Sequence, residues 1–397
     1  MSDKKSAPIG VSSLHTCVRH LRSHIWEIQD FLARVACSQP DEETVLVVRV
    51  DNIGDFILWL GAAEHLKRHF AQKRLTLAAN QVFAELAEKC GYFEKVIPID
   101  IQRLDHDRLY RFRTLRQVRQ VHASIAIQST YSRVFSTGDA LIRASGAPQR
   151  IGSASDLSNI SASQRNISDR WYTRLVPAES HRMTEIERHC EFLHGLGVEN
   201  VTPALTQLGP VAVFPSWFRT TPRYLVIFPG ASSTAKIWPA SSYGAIARAI
   251  HKAYGWRLIV CGATTDYNLA VQVIEHSKVE GALNLCGKTS LPELVEIIRG
   301  ASLLIGNDTS AAHIAPAVGT PSVCLLGGGH FGRFMPYPPT IAGHKPIAVY
   351  HEMPCFNCNW QCHLPHAIDA PVPCISMIHV DSVLQAAHQA IEDTSNN

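Results

Sequence analysis

Four sulfur atoms, two acidic turns and one lysine-bearing loop are the places where this sequence has residue types able to do chemistry. Cys355, Cys358, Cys362 and Cys374 form a Cys-x2-Cys-x3-Cys-x11-Cys array. Four thiolates in so short a span suit tetrahedral zinc, or iron, because a loop with little core of its own can be held by ligation. Pro354, Pro365, Pro371 and Pro373 mark the segment as loop, and His351, His363 and His366 are available as substitute or neighbouring ligands. Two readings stand: a structural metal with no open coordination position, and hence no catalytic part, or four unliganded thiols. Asp55 closes the turn Asp51-Asn52-Ile53-Gly54-Asp55. There it can serve as a general base or as a helix cap.

The second acidic turn is Gly306-Asn307-Asp308-Thr309-Ser310-Ala311-Ala312-His313. Asp308 or Thr309 would cap a short helix whose first N–H groups form an anion site, and His313 falls on the same helical side. A purely structural cap would account for Asp308 but not for His313. The loop Phe228-Pro229-Gly230-Ala231-Ser232-Ser233-Thr234-Ala235-Lys236 brings hydroxyls and one cation to a strand exit, a set suited to diphosphate oxygens without a metal, although taken alone it reads equally as an ordinary solvated loop. Gly327-Gly328-Gly329-His330-Phe331-Gly332 fits a dinucleotide fingerprint, but Pro336, Pro338 and Pro339 prevent the helix that such a fingerprint must open. Its glycines, Gly328 among them, still permit close backbone approach to phosphate.

These residues need elements to hold them. Thr44–Val50 is a continuous β-branched run, as expected of a parallel strand buried on both faces, and a helical pattern follows over 56–70. Strands are expected again near 75–78, 95–99 and 124–128, with a helix near 82–90. A second series places strands at 224–228, 257–261, 301–305 and 322–326 and helices at 243–254, 291–299, 311–318 and 382–391. The pattern predicts an α/β chain of two doubly wound, Rossmann-like domains, with ligands at the carboxyl ends of the strands and a cleft between the domains. The predicted spans are an N-terminal helical extension over 1–40, an acceptor-side domain over 41–205 and a donor-side domain over 222–380 carrying the Cys-rich segment 355–374. A helix and tail over 381–397 follow. Pro203, Pro210, Pro215 and Pro222 read as a linker. In the extension, Leu14, Val18, Leu21, Ile25, Ile28, Leu32 and Val35 form one helical stripe. It has three competing fates: packing on the body, pairing with a second copy over residues 14–35, or lying on an acidic membrane surface.

Taken in order, Val48 to Asp55, Pro229 to Pro239, Leu285-Cys286-Gly287-Lys288-Thr289-Ser290-Leu291 and Gly306 to His313 resemble glycosyltransferase family 9, the ADP-heptose:lipopolysaccharide heptosyltransferases. The resemblance implies a GT-B fold and inverting transfer from a nucleotide-diphosphate sugar to a lipopolysaccharide or other surface glycan, with no cofactor required for the transfer itself. By it, Asp55 matches the family's catalytic carboxylate. Ser232, Ser233 and Lys236 match the donor-phosphate loop, Asp308 the group holding the donor sugar's hydroxyls, and Thr309 the support of the diphosphate. Ser310 stands where most members have glycine. The family's acidic residue for the nucleotide ribose should follow Cys261-Gly262-Ala263, where this sequence reads Thr264-Thr265-Asp266, so either Asp266 serves from a shifted position or the nucleotide is not ADP.

Composition sets the outer limits. The chain has 397 residues, 46% hydrophobic and 18% charged, which predicts a folded globular protein of two or three domains. A net charge of +3 does not point to nucleic acid. Eleven cysteines, with no secretory leader and no long apolar run, predict a cytoplasmic protein with at most peripheral contact with the inner membrane. Two other functions compete with transfer: a non-catalytic nucleotide-sugar-binding module, and a nucleotide-sugar dehydrogenase or epimerase carrying nicotinamide.

Overall fold

The computed structural model describes residues 39–213, 218, 223–367 and 369–395. The 14–35 stripe, with Cys17 and Cys37, lies outside the described residues. Two six-stranded sheets organise the rest. The first is built from β1 (Asp41–Arg49), β2 (Arg74–Asn80), β3 (Lys95–Ile99), β4 (Ala123–Gln128), β5 (Gln149–Ser153) and β6 (Arg174–Val176). Its order is β3-β2-β1-β4-β5-β6. The second comprises β7 (Tyr224–Phe228), β8 (Arg257–Val260), β9 (Leu283–Asn284), β10 (Leu303–Asn307), β11 (Ser322–Leu325) and β12 (Ile347–Val349), in the order β12-β11-β10-β7-β8-β9. Counted from the first strand of each half, the two orders are the same doubly wound pattern. The order in which strands are added reverses between β1 and β4, and again between β7 and β10.

Helices fill the crossovers: α1 (Ile53–His69), α2 (Gln81–Lys89), α3 (Ile101–His106), α4 (Arg108–Arg119), α5 (Ala140–Ser145), α6 (Ala162–Ser168) and α7 (Glu185–Leu196). The second half adds α8 (Ala240–Tyr254), α9 (Tyr267–Ser277), α10 (Leu291–Arg299), α11 (Ser310–Ala317), α12 (Pro373–Ser376) and α13 (Val380–Ser395). All the pairings within the second sheet are parallel, as are β1–β4 and β4–β5. Parallel strands buried on both faces must be apolar throughout, and Val45 to Val48 have no exposed surface. Helix starts are locally encoded. At α10, Ser290 Oγ accepts from Glu293 N at 3.4 Å while Glu293 returns a contact to Ser290 N at 2.8 Å, a capping box that contributes about 1 kcal/mol.

The described residues pack as two compact units that cut the chain more finely than the predicted spans. One holds residues up to 50, 72–78 and 97–175; the other holds 51–71, 79–96 and 176–395. Helix α1 goes to the second unit because Phe56 stacks on Phe83 at 4.3 Å and Trp59 on Phe93 at 6.1 Å, while Leu58 packs with Ile186, Ala312, Cys324 and Tyr337. The proline-marked segment is fastened to that unit as well. Leu208 N donates to Ala317 O at 2.7 Å and Val211 N to Glu296 Oε1 at 2.8 Å, so its first part acts as a strap. Among the described residues no helix is long and apolar enough to cross a membrane.

Candidate functional site

In the second unit the carboxyl ends of β7 and β10 lie side by side, and Asn307, the last residue of β10, ties their loops together. Its buried amide donates to Pro229 O at 2.6 Å, and its Oδ1 accepts from Trp238 N at 3.4 Å. Gly306 permits this closeness, since a Cβ there would stand 2.8 Å from Phe228 O. The loop after β7 then makes a single 3-10 turn, Thr234–Lys236, which leaves Ser232 and Ser233 exposed and Lys236 half-buried. Burial pushes the Lys236 ammonium below its ordinary pKa, and Asp308 pulls it back up. Its Nζ lies 4.2 Å from the centre of the Trp360 ring.

Helix α11 opens with Thr309 in the N-cap position, yet the Thr309 side chain makes no cap bond. Its Oγ1 is buried and has no hydrogen-bond partner among the described residues. Ser310 is the first residue of the helix, so an unpartnered hydroxyl and the positive end of a helix coincide. Asp308 sits beside them, with 17% of its side chain exposed. Burial raises its pKa to about 6, with Lys236 lowering it and Asp55 raising it. His313 is buried and its pKa is pushed down to about 4, so it is neutral at pH 7. Its Nδ1 shares a hydrogen bond of 2.6 Å with the Tyr337 hydroxyl, and Nε2 lies 3.8 Å from Asp308 Oδ1.

Asp55 reaches this neighbourhood through α1. A Cβ on Gly54 would stand 3.0 Å from His313 Cδ2, so glycine lets the first turn of α1 press on α11. Asp55 is partly exposed; the N-cap of α1 is Asn52 and not Asp55, whose Oδ2 instead accepts from Asn52 N at 3.3 Å from the third helical position, as the acidic partner of a capping box. The cap leaves the carboxylate close enough to raise Asp308. Asp266 stands at the exit of β8, where its Oδ2 accepts from Ala263 N at 2.8 Å. Burial raises its pKa, and a Cβ on Gly230 would run into its carboxylate.

Gly328 is placed elsewhere. Its N–H points at Cys374 Sγ, 3.5 Å away, and its open side is filled by the Phe356 ring. The run 327–332 forms one 3-10 turn at Gly328–His330 and no helix, as its prolines predict. Cys355, Cys358, Cys362 and Cys374 line one small cavity whose other lining residues carry no carboxylate or imidazole. Burial raises the Cys374 pKa, the Gly328 N–H opposes this, and the other three cysteines add to the rise. Thiols crowded in this way, in a soft-donor cavity, fit zinc or iron better than a hard cation. As the side chains stand, however, no group of three or more His, Cys, Asp or Glu among the described residues is arranged to hold a metal ion.

Three contributors escaped the sequence reading. Asn307 lay inside a quoted motif without a role, Tyr337 sits among prolines, and Trp360 is hidden between two cysteines. Only the Pro-Tyr-Pro and Cys-Asn-Trp-Gln-Cys settings could have drawn attention to the last two.

Residues 197–362 match the model of glycosyltransferase family 9 (heptosyltransferase). A curated relative, lipopolysaccharide heptosyltransferase 3 of Escherichia coli, is 30% identical over 167 residues, 39% of this chain and 47% of its own length. The chain spans about half to two thirds of the curated relatives first matched, 47% of one and 65% of another. Among solved structures, a family 9 glycosyl transferase from Veillonella parvula DSM 2008 superposes with a TM-score of 0.71 at 16% identity. That match covers 90% of this chain and 100% of the other. The iron-containing dodecameric heptosyltransferase TibC, from enterotoxigenic E. coli H10407, superposes with a TM-score of 0.54 at 16% identity, covering 91% and 80%. At such identities the structural matches establish the fold, which is GT-B.

Proposed function

Because the chain is like glycosyltransferase family 9 in sequence and GT-B in fold, we propose that it is an inverting glycosyltransferase with a nucleoside-diphosphate sugar as donor. The donor is ADP-heptose or a close analogue, and the acceptor is a hydroxyl of lipopolysaccharide or another surface glycan. The names of its relatives, lipopolysaccharide heptosyltransferases and a TibC complex with ADP-D-beta-D-heptose, support that choice. One observation carries the reading: an unpartnered Thr309 hydroxyl, the N-terminus of α11, the Lys236 ammonium and the Asp308 carboxylate surround one strand-end position. That set offers a positive charge and donors suited to a diphosphate, and a carboxylate suited to sugar hydroxyls.

In the proposed step, the acceptor oxygen attacks the anomeric carbon as the bond from that carbon to the diphosphate oxygen breaks. The nucleoside diphosphate leaves with the electron pair, and the hydroxyl proton passes to Asp55. Lys236, Ser232, Ser233, Thr309 and the backbone of Ser310 would take the charge that develops on the leaving group. Asp308 would accept from sugar hydroxyls, and His313, neutral and fixed by Tyr337, would hold the shape of its wall. Asp266 is the candidate for the ribose. Gly328, bonded to Cys374, would act through the cysteine segment rather than on the donor.

The four cysteines would hold one structural zinc or iron ion after a small inward movement of their side chains, with no share in the transfer. About one ion per chain is expected by elemental analysis, lost in Cys355→Ser or on chelation. Work at the cytoplasmic face of the inner membrane follows from the proposed acceptor. The overall assignment is tested by a thermal-shift screen of ADP, GDP, UDP and dTDP sugars, followed by transfer assays with the stabilising donor. Stabilisation by ADP-heptose with product of inverted anomeric configuration is expected. Donor binding without any turnover would instead favour a binding module.

A further inference from the structure

The Cys-rich segment carries a feature that metal ligation does not require. Asn357, Asn359 and Trp360 all have left-handed backbone conformations, at φ 74°, 51° and 60°. Asparagine tolerates this region, but a bulky aromatic residue is strained there, and such a conformation persists only where the surroundings fix it. Here they do. Asn357 N donates to Gly328 O at 2.6 Å, Asn359 N to Gly329 O at 3.0 Å and Gln361 N to Cys358 O at 3.0 Å. A Cβ at Gly327 or Gly329 would run into the Trp360 ring, so the three consecutive glycines are the seat for this knuckle. On its other side the segment is stitched to the lysine loop, because Val372 N donates to Ala235 O at 3.0 Å.

The result of this bracing is that the face of the Trp360 ring lies under the Lys236 ammonium at 4.2 Å. We propose that Trp360 is a positioning residue for the donor-binding reaction: its ring holds Lys236 charged and extended toward the diphosphate, and the cysteine knuckle serves to present that ring. The titratable groups around Lys236, a carboxylate and an imidazole whose pKa burial lowers, fit such a role. Asp308 faces it from the start of α11, and His330, whose Nε2 shares a 2.5 Å hydrogen bond with Asn359 Oδ1, faces it from the glycine turn. Among the described residues neither holds Lys236 through a hydrogen bond or ion pair, and the ring supports its ammonium at 4.2 Å. A partly buried ring face attracts an ammonium by an amount equivalent to about tenfold in affinity.

This inference rests on the reading of Lys236 as a diphosphate ligand, and the test separates the two. The affinities of ADP and inorganic diphosphate are measured by calorimetry for the full chain and for Trp360→Leu, Trp360→Phe, Lys236→Met and the Trp360→Leu/Lys236→Met double variant. Metal content and thermal unfolding are recorded for each. The expected result is about tenfold weaker binding in Trp360→Leu, recovery to within about twofold in Trp360→Phe, and a double variant no weaker than Lys236→Met alone. A merely structural tryptophan would instead give additive losses and no aromatic rescue, which overturns the inference. Weaker binding in Lys236→Met with unaltered binding in Trp360→Leu also overturns it while leaving the donor site intact. If neither ADP nor diphosphate binds the unaltered protein, or if Lys236→Met binds both as well as it does, the donor-site reading falls and the inference with it.

Discussion

Helices α1 and α11 both start at strand ends with an aspartate in the turn, and they finish their first turns differently. At α1 the chain satisfies itself: Asp55 sits three residues past Asn52 and accepts from its N–H at 3.3 Å. At α11 the Thr309 side chain occupies the cap position without capping, its hydroxyl is left without a partner, and Asp308 lies beside it with its pKa near 6. Native helix ends are usually satisfied by their own side chains, so an open one marks where something else is expected to bind. The closed start presents a carboxylate and the open start presents a cradle. That division is what the proposed roles of base and leaving-group site would use.

The largest expected effect breaks the closed end. Asp55→Asn should lower turnover by about a hundred- to ten-thousandfold, the usual contribution of general base catalysis, with ADP affinity unchanged in calorimetry. Turnover close to that of the parent protein would remove Asp55 from the mechanism and leave it a cap. Next comes the charge at the open end. Because Asp308 must be ionised to accept from sugar hydroxyls and titrates at about 6, kcat/KM should fall about tenfold per pH unit below that value. In Asp308→Asn this acid limb should be absent from whatever activity survives; a limb that persists unmoved belongs to another group.

Thr309→Val sharpens the contrast by separating binding from stability. ADP should bind about tenfold more weakly because a hydrogen bond to an anion is lost. The unliganded protein should melt no lower than its parent, because no partner of that hydroxyl is given up. A drop in melting temperature of several degrees would show that the hydroxyl had been satisfied all along. The smallest effect is on folding at the closed end. Losing the charge of Asp55 from the first turn of α1 should cost about 0.5–1 kcal/mol in urea unfolding, whatever happens to turnover.

The pH dependence of stability contains a second pair of opposites. His313 has its folded pKa depressed to about 4, so its contribution is complete above about 6.5, the unfolded value, and is lost as pH falls through 4. Asp308 has its folded pKa raised to about 6, so its contribution is complete below 3.8 and is lost as pH rises through 6. Between pH 4 and 6 the two slopes oppose each other. Replacing Asp308 by Asn should expose the loss due to His313 as a steeper acid destabilisation in melting experiments.

Much of the fold could be read from local pattern. The runs at 224–228 and 291–299 appear as β7 and α10 with the predicted bounds, because continuous β-branched strands and capped amphipathic helices carry their signals within the element. Four strands were missed. Gln149–Ser153 is polar at its start, Arg174–Val176 and Ile347–Val349 have three residues each, and Leu283–Asn284 has two, so each is defined by its partner strand rather than by its own composition. At the site, Asp308, Thr309, Lys236 and Asp55 could be found because they sit in turns that follow recognisable strands. Asn307 could not be given a role, since its bonds reach across nearly eighty positions of chain to Pro229. The same applies to Tyr337, 24 positions beyond His313, and to Trp360, whose meaning depends on glycines that only the fold brings beneath it.

Helix α1 follows a strand of the first sheet but packs with the second unit, Gly54 against His313 and Phe56 against Phe83. For anyone building chimeras between relatives, a single crossover near residue 200 would separate Asp55, the proposed base, from the α11 turn that Gly54 packs against. A graft of the donor half should therefore carry residues 51–71 and 79–96 along with everything after 176, three pieces of sequence inherited as one part.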